Sequence, residues 1–259
     1  MQPGNIQMNL NLSRFQAFAI HLLISSVVLG SFLAFVFLVW YPHPFFILEG
    51  LVQIVWVLVG VDIVLGPSLT LVVFKTGKPG LKRDLSIIAA IQIFGFIFGA
   101  HTFYVERPAF AVFYDFDYFE VIPASEIKDL ANLDPALGHS NLGGPSIVIF
   151  EEPTEISELQ KILEEAKKGA PPIHLRPEFY KPLKGYINKK FWSSMDLDKL
   201  QTTAENETVI SQFKSEYGER VKDFAYFPIS GKGTSRLLVI DRKSETVVDT
   251  IGIDPAAIN

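Results

Sequence analysis

The residue that stands out chemically in this sequence is Asp62, an acidic side chain inside the apolar stretch of residues 45–74. Counted back from Lys75 at about 1.5 Å per residue, it lies about 20 Å into a bilayer whose apolar core is roughly 30 Å thick. A carboxylate at that depth costs a few kcal/mol, so it must be paired or protonated. Three roles are open: polar packing between helices, contact with a helix of another protein, or a proton or ion pathway.

Small and helix-breaking residues accompany Asp62. Pro67 lacks an N–H group, so it is predicted to kink the helix and to free a backbone carbonyl one turn earlier, near Ile63. Gly66 removes a side chain at the same place, and Gly95-x-x-x-Gly99 lets helices approach closely, within one chain or between two. The candidate partner-binding residues are therefore Asp62, Gly66, Pro67, Gln92, Gly95 and Gly99.

Motifs of catalytic and metal sites do not occur in the sequence. His139 and His174 are the two histidines after residue 105, they lie far apart, and the chain has no cysteine to complete a zinc site. No G-x-S-x-G, H-E-x-x-H or Walker A pattern is present. We therefore expect no catalytic residue, no metal and no cofactor, and a protein that is not an enzyme.

Charged residues are divided very unevenly along the chain. Residues 1–105 contain 5 of the 23 Lys and Arg and 3 of the 28 Asp and Glu, and residues 106–259 contain the rest, with a net charge of −7. This division is typical of a membrane module followed by a water-soluble domain. It excludes an all-soluble enzyme, a disulfide-stapled secreted scaffold and a disordered chain. The acidic second part argues against binding nucleic acid, because it would repel phosphates.

Three apolar stretches, residues 17–40, 45–74 and 85–105, are each long enough to cross the lipid bilayer as a helix. The turn between the first two contains no Lys or Arg, whereas the turn between the last two is basic. Short basic turns stay in the cytoplasm, which makes residues 1–16 a cytoplasmic tail and places residues 106–259 outside the cytoplasm. The residues that determine this topology are Lys75, Lys78, Lys82 and Arg83.

The expected fold is a membrane protein with an N-terminal three-transmembrane-helix unit, followed by a small extracytoplasmic α+β domain with a mainly antiparallel sheet. Aromatic and β-branched residues at 109–122 indicate one long strand, or two strands with a bend. Residues 170–182 are rich in proline and are expected to be irregular. Further strands are expected at 146–150, 223–229, 235–241 and 246–253, and helices at 154–169 and 206–217.

A long and unusual motif runs through the membrane region. It comprises the run D-x-x-x-G-P-x-L-T-L-x-x-F-K at residues 62–75, D-L at 84–85, I-Q at 91–92 and R-P at 107–108. With these features the chain resembles the TfpX/TfpZ family of type IV pilin accessory proteins. The resemblance implies a protein of the inner membrane of Gram-negative bacteria, with a periplasmic C-terminal domain. It also implies a non-catalytic role in the assembly or display of a major pilin.

The resemblance suggests how the membrane region is used. A pilin waits in the inner membrane as one apolar helix with a buried acidic residue and a free N-terminal amine, and its globular head lies outside. The hypothesis is that Asp62, with Gly66 and Pro67 shaping a groove, receives this helix while the outer domain contacts the head. A homo-oligomer or contact with the pilus assembly machinery would be further interactions. The alternative is a membrane-tethered periplasmic ligand sensor or transporter subunit, which the short cytoplasmic parts disfavour.

Overall fold

The computed structural model describes residues 12–114, 117–140, 142–186, 194–200 and 203–255. These residues form two compact units, each described by itself below. The helical unit consists of residues 12–34 and 52–102, and the sheet unit consists of residues 35–51 and 103–255.

Three long apolar helices dominate the first part of the chain, as the hydropathy predicts. In the part of the chain that the structure describes, the segments long and apolar enough to cross a membrane are Arg14–Trp40, Val52–Val73 and Leu81–Val105, with mean hydropathies of 2.6, 2.0 and 1.7. The first consists of helix α1 (Arg14–Phe35) and a π turn (Val36–Trp40). The second is divided into α3 (Val52–Val59), a π turn (Gly60–Leu65) and α4 (Gly66–Val73). The third is α5 (Leu81–Val105).

The second long helix begins at Val52, seven residues later than the apolar stretch of the sequence. Phe45–Leu48 form a separate short helix, α2, and a turn follows in which Gly50 has a φ of +66°, a conformation that suits glycine. Phe45 and Leu48 are buried in a hydrophobic cluster of the sheet unit. Apolar side chains suit a protein core as well as lipid, so hydropathy alone could not separate α2 from the helix that follows it.

The sheet unit is built on a seven-stranded mixed sheet in the order β4-β3-β1-β2-β5-β6-β7. Its strands are β1 (Pro108–Tyr114), β2 (Tyr118–Pro123), β3 (Ser146–Phe150), β4 (Tyr180–Pro182), β5 (Phe224–Ser230), β6 (Ser235–Asp241) and β7 (Thr246–Ile251). The pairs β1–β2, β3–β4, β5–β6 and β6–β7 are antiparallel, whereas β1–β3 and β2–β5 are parallel. The expected α+β fold with a mainly antiparallel sheet is confirmed.

Among the described residues, the helices α6 (Ile156–Lys167) and α7 (Ala204–Tyr217) accompany the sheet. Helix α7 begins two residues earlier than predicted, because the Thr203 side chain accepts a hydrogen bond from the Asn206 amide and caps it. Its Ile210 and Phe213 are buried in a cluster with β5, β6 and β7. Strand β4 lies in the proline-rich segment predicted to be irregular, where the pairing with β3 overrides a poor local preference.

Candidate functional site

Asp62 lies in the π turn between α3 and α4. In a π turn each N–H bonds to the carbonyl five residues earlier, as Gly66 N–H does with the Val61 carbonyl. The N–H that would reach the Asp62 carbonyl belongs to Pro67, which has none. The π turn thus leaves the Asp62 carbonyl without a backbone donor, one residue before Ile63, where α-helical spacing predicts the freed carbonyl.

Gln92 of α5 satisfies this carbonyl: its Nε2 donates to the Asp62 oxygen at 3.3 Å. Gly66 makes room for the contact, since a Cβ atom there would lie only 2.1 Å from Gln92 Nε2. Gln92 and Gly66 are both buried. A glutamine side chain on the neighbouring helix thus replaces the backbone donor that Pro67 lacks, and this explains why these three residue types belong together.

Two further polar side chains extend the contact across the helical unit. His21 of α1 approaches Gln92 Oε1 with its Nε2 at 2.8 Å and Thr70 Oγ1 of α4 with its Nδ1 at 2.7 Å. Because the Gln92 amide nitrogen donates to Asp62, the Gln92 oxygen must accept from His21 Nε2. In a neutral imidazole, Nδ1 then accepts from the Thr70 hydroxyl. Hydrogen bonds therefore connect α1, α4, α5 and the π turn.

The Asp62 side chain lies beside this chain of hydrogen bonds, close to Gln92 and His21. It is 6% exposed, and within the described residues its Oδ2 is buried without a hydrogen-bond partner. It lies in a groove of about 220 Å³ that runs between α1 and α5. The lining residues are His21, Ile24, Ser25, Val28, Leu29, Asp62, Ala89, Gln92, Ile93 and Phe96. The groove combines an apolar surface with one buried carboxylate, whose Oδ2 has no hydrogen-bond partner among the described residues.

The remaining candidate residues have structural positions of their own. Pro67 is buried. A Cβ atom at Gly99 would lie 2.6 Å from Leu58 Cδ2, and one at Gly95 would lie 3.5 Å from Val61 Cγ1. The small residues of α5 thus let it pack closely against the second long helix of the same chain, and they do not line the groove. Asp62, Gly66 and Gln92 are brought together, whereas Gly95 and Gly99 face elsewhere.

The sequence prediction missed His21 and Thr70 as parts of this site. Both are polar residues in apolar helices, and this polarity was the feature of the sequence that could have indicated them. Nothing in the local sequence shows that they contact Gln92. The four basic residues of the turn before α5 and of its first turn are exposed, and Lys78 Nζ pairs with Asp84 at 2.8 Å. Their role in topology stays a prediction.

A second buried carboxylate lies in the sheet unit, in the turn that follows α2. Glu49 is 7% exposed, and in the part of the chain that the structure describes its Oε1 has no hydrogen-bond partner. Burial raises the pKa of Glu49 to about 7; a backbone hydrogen bond and the ammonium of Lys232 lower the pKa, whereas Glu106 and Glu126 raise it. The Lys232 ammonium itself pairs with Glu106. Glu49 therefore changes charge near neutral pH inside a packed turn.

The two histidines considered as metal ligands have other surroundings. The His139 ring lies 5.2 Å from the Phe110 ring, and burial lowers the pKa of His139. The backbone carbonyl of His174 accepts hydrogen bonds from the hydroxyls of Tyr114 and Tyr180. Among the described residues no group of three or more His, Asp or Glu side chains could hold a metal ion.

Comparison with known proteins identifies the family. The family described as Fimbrial assembly protein FimB matches residues 11–50. The chain is 32% identical over 111 residues to the fimbrial assembly protein of serogroups C1 and C2 of Dichelobacter nodosus. The aligned region makes up 42% of this chain and 83% of that relative. The chain belongs to the fimbrial assembly protein family.

Two further family members from the same organism, the fimbrial assembly proteins of serogroups E1 and I, are each 33% identical over 111 residues. The matched part of the chain spans 42% of the length of each of these two relatives. No solved structure matches the chain. The resemblance found in the sequence is confirmed at the level of fimbrial assembly proteins.

Proposed function

We propose that this protein is a non-catalytic accessory factor of the TfpX/TfpZ kind in the bacterial inner membrane. It binds a type IV pilin and supports pilus assembly or pilin stability. The names of its relatives support a role in fimbrial assembly. The three apolar helices support residence in a membrane.

The observation that carries the proposal is the carboxylate in the groove between α1 and α5. Asp62 Oδ2 has no hydrogen-bond partner among the described residues, although a buried carboxylate needs one. A pilin helix offers an apolar surface for the walls of the groove and a free N-terminal amine as a donor for the carboxylate. The hydrogen bonds through Gln92 hold the π turn in place, so the Asp62 carboxylate stays in the wall of the groove.

The proposed orientation follows from the charges of the turns. The basic residues Lys75, Lys78, Lys82 and Arg83 keep their turn in the cytoplasm. The N-terminus is then cytoplasmic, and the part of the chain after α5 lies in the periplasm, where it can contact the globular head of the pilin. Contact with other components of the pilus assembly machinery would use the same periplasmic part.

Site-specific cross-linking in cells tests the proposal. A photo-cross-linking amino acid replaces Ile93, which lines the groove and is 58% exposed, and the control position is Val72, which is 72% exposed but does not line the groove. We expect pilin to be captured from position 93 and not from position 72. Asp62→Ala should lower the capture about tenfold, the effect of losing a hydrogen bond to a charged group.

The same strains report whether the contact matters for assembly. Piliation, measured as surface pilin, should fall with Asp62→Ala and be largely retained with Ser25→Ala, a polar neighbour in the same groove. Undiminished capture together with normal piliation in Asp62→Ala would rule out the proposed role of the groove.

A further inference from the structure

Helix α6 exposes the side chains that an amphipathic helix normally buries. None of its twelve residues is buried. Ile156, Leu159 and Leu163 are 74%, 38% and 61% exposed. By contrast, α7 of the same unit buries Ile210 and Phe213. The apolar face of α6 therefore has no cover within the described part of this chain.

The exposed residues are spaced as in a helix-pairing seam. Ile156, Leu159, Leu163 and Ala166 follow one another at intervals of three, four and three residues, the a/d pattern of coiled coils. The helix is held to the sheet unit from another side, where Arg176 pairs with Glu165 at 2.8 Å. Lys161 lies opposite the seam, and its side chain is 76% exposed. Helix α6 is therefore attached to the sheet unit through Glu165, while the seam on its other side is exposed.

The charges near the seam are distributed unevenly along the helix. Residues 151–158 contain four glutamates and no cation, whereas residues 159–168 contain three lysines and two glutamates. An anionic lipid surface would be repelled by this segment. Two such helices side by side in parallel would place their acidic ends together. In the antiparallel arrangement each acidic end meets the lysines at the other end, and the helix dipoles also oppose one another.

We infer that α6 is a homotypic docking surface, on which two copies of this protein pair their α6 helices antiparallel along Ile156, Leu159, Leu163 and Ala166. In this pairing Leu159 of one copy lies opposite Leu163 of the other. A stable interface uses roughly 20–30 residues a side, and this seam offers four apolar ones. The contact is therefore weak in dilute solution and forms when both copies share one membrane, which raises their effective concentration.

Cysteine cross-linking in native membranes tests this pairing, because the chain contains no cysteine of its own. Two copies of different length are co-expressed, one with Leu159→Cys and one with Leu163→Cys. On mild oxidation we expect about tenfold more of the mixed disulfide-linked dimer than with Lys161→Cys in both copies. All three positions are exposed, so the melting temperatures of the variants should equal that of the parent protein.

A charge exchange provides an independent test. Glu152→Lys with Glu155→Lys in both copies should lower the yield of the dimer about threefold, and so should Lys167→Glu with Lys168→Glu. Co-expressing one copy that carries the two lysine substitutions with one copy that carries the two glutamate substitutions should restore the yield of the dimer. Cross-links that join Leu159 to Leu159 and Leu163 to Leu163 would show parallel pairing and overturn the inference. Cross-links to pilin, or a yield equal to the Lys161 control, would also overturn it. None of these results bears on the groove at Asp62.

Discussion

Replacing Glu49 by glutamine should make the packing of its turn insensitive to pH. The pKa of Glu49 is raised from 4.5 to about 7, chiefly by burial. At about 1.4 kcal/mol for each tenfold change in proton affinity, the ionised carboxylate costs the folded sheet unit about 3 kcal/mol. The sign follows from the direction of the shift. Below pH 4.5 the group is neutral in both states, and above pH 7 it is ionised in both, so stability is lost as the pH rises between these values.

Hydrogen exchange at one contact reports this loss locally. The amides of Gly233 and Thr234 donate to the Leu48 carbonyl at 2.7 and 3.3 Å, and the Leu48–Glu49 segment packs closely against Gly231. Opening this contact exposes Glu49 to water. Between pH 5 and pH 8 the opening free energy of the parent protein should fall by about 2.5 kcal/mol relative to Glu49→Gln. Protection of these two amides should therefore fall about 70-fold relative to the variant.

The comparison of the two proteins removes the intrinsic pH dependence of exchange, since it is the same in both. Glu126→Gln serves as the matched control, because Glu126 also faces Lys232 but its side chain is 43% exposed. The control should follow the parent protein closely, because Glu126 makes the smallest contribution to the raised pKa of Glu49. Equal changes in protection for the parent protein and Glu49→Gln across this pH range would refute the reasoning.

Three other substitutions test the packing of the two units. Gln92→Leu removes the donor to the Asp62 carbonyl and should destabilise the helical unit by about 1–3 kcal/mol; an unchanged melting temperature in detergent would contradict this. Gly99→Ala brings a methyl group within 2.6 Å of Leu58 and should cost about 1–3 kcal/mol. Leu58→Ala in the same chain should reduce that cost, as a thermal double-mutant cycle can measure. Tyr41→Phe deletes a buried hydroxyl that donates to a backbone carbonyl at 3.0 Å and should lower the stability of the sheet unit by about 1 kcal/mol in chemical unfolding.

Much of the sheet unit could be predicted from local patterns. Strands β3, β5, β6 and β7 were expected within two residues of their observed ends, because alternating and β-branched residues mark them locally. The order of the strands was not predictable in this way. The parallel pairs β1–β3 and β2–β5 join segments far apart in the chain, and only the surfaces that meet on folding select them.

The candidate site shows the same division. Asp62, Gly66, Pro67 and Gln92 were selected from the sequence because charged, polar and helix-breaking residues are conspicuous in an apolar stretch. The partner of the freed carbonyl was not predictable, since a π turn is a small change of register that no residue pattern identifies. His21 joins the site through contacts across 49 and 71 residues of chain.

By itself, the sequence determined that this chain has three apolar helices and an acidic α+β part, because hydropathy, charge and strand patterns are local properties. Tertiary structure alone decided that Phe45 and Leu48 belong to the core of the sheet unit and that Gln92 caps the Asp62 carbonyl. It also decided that no described residue covers the apolar face of α6. The physical reason is that an apolar or polar side chain gains free energy from any suitable partner. Which partner it meets depends on the arrangement of the whole chain.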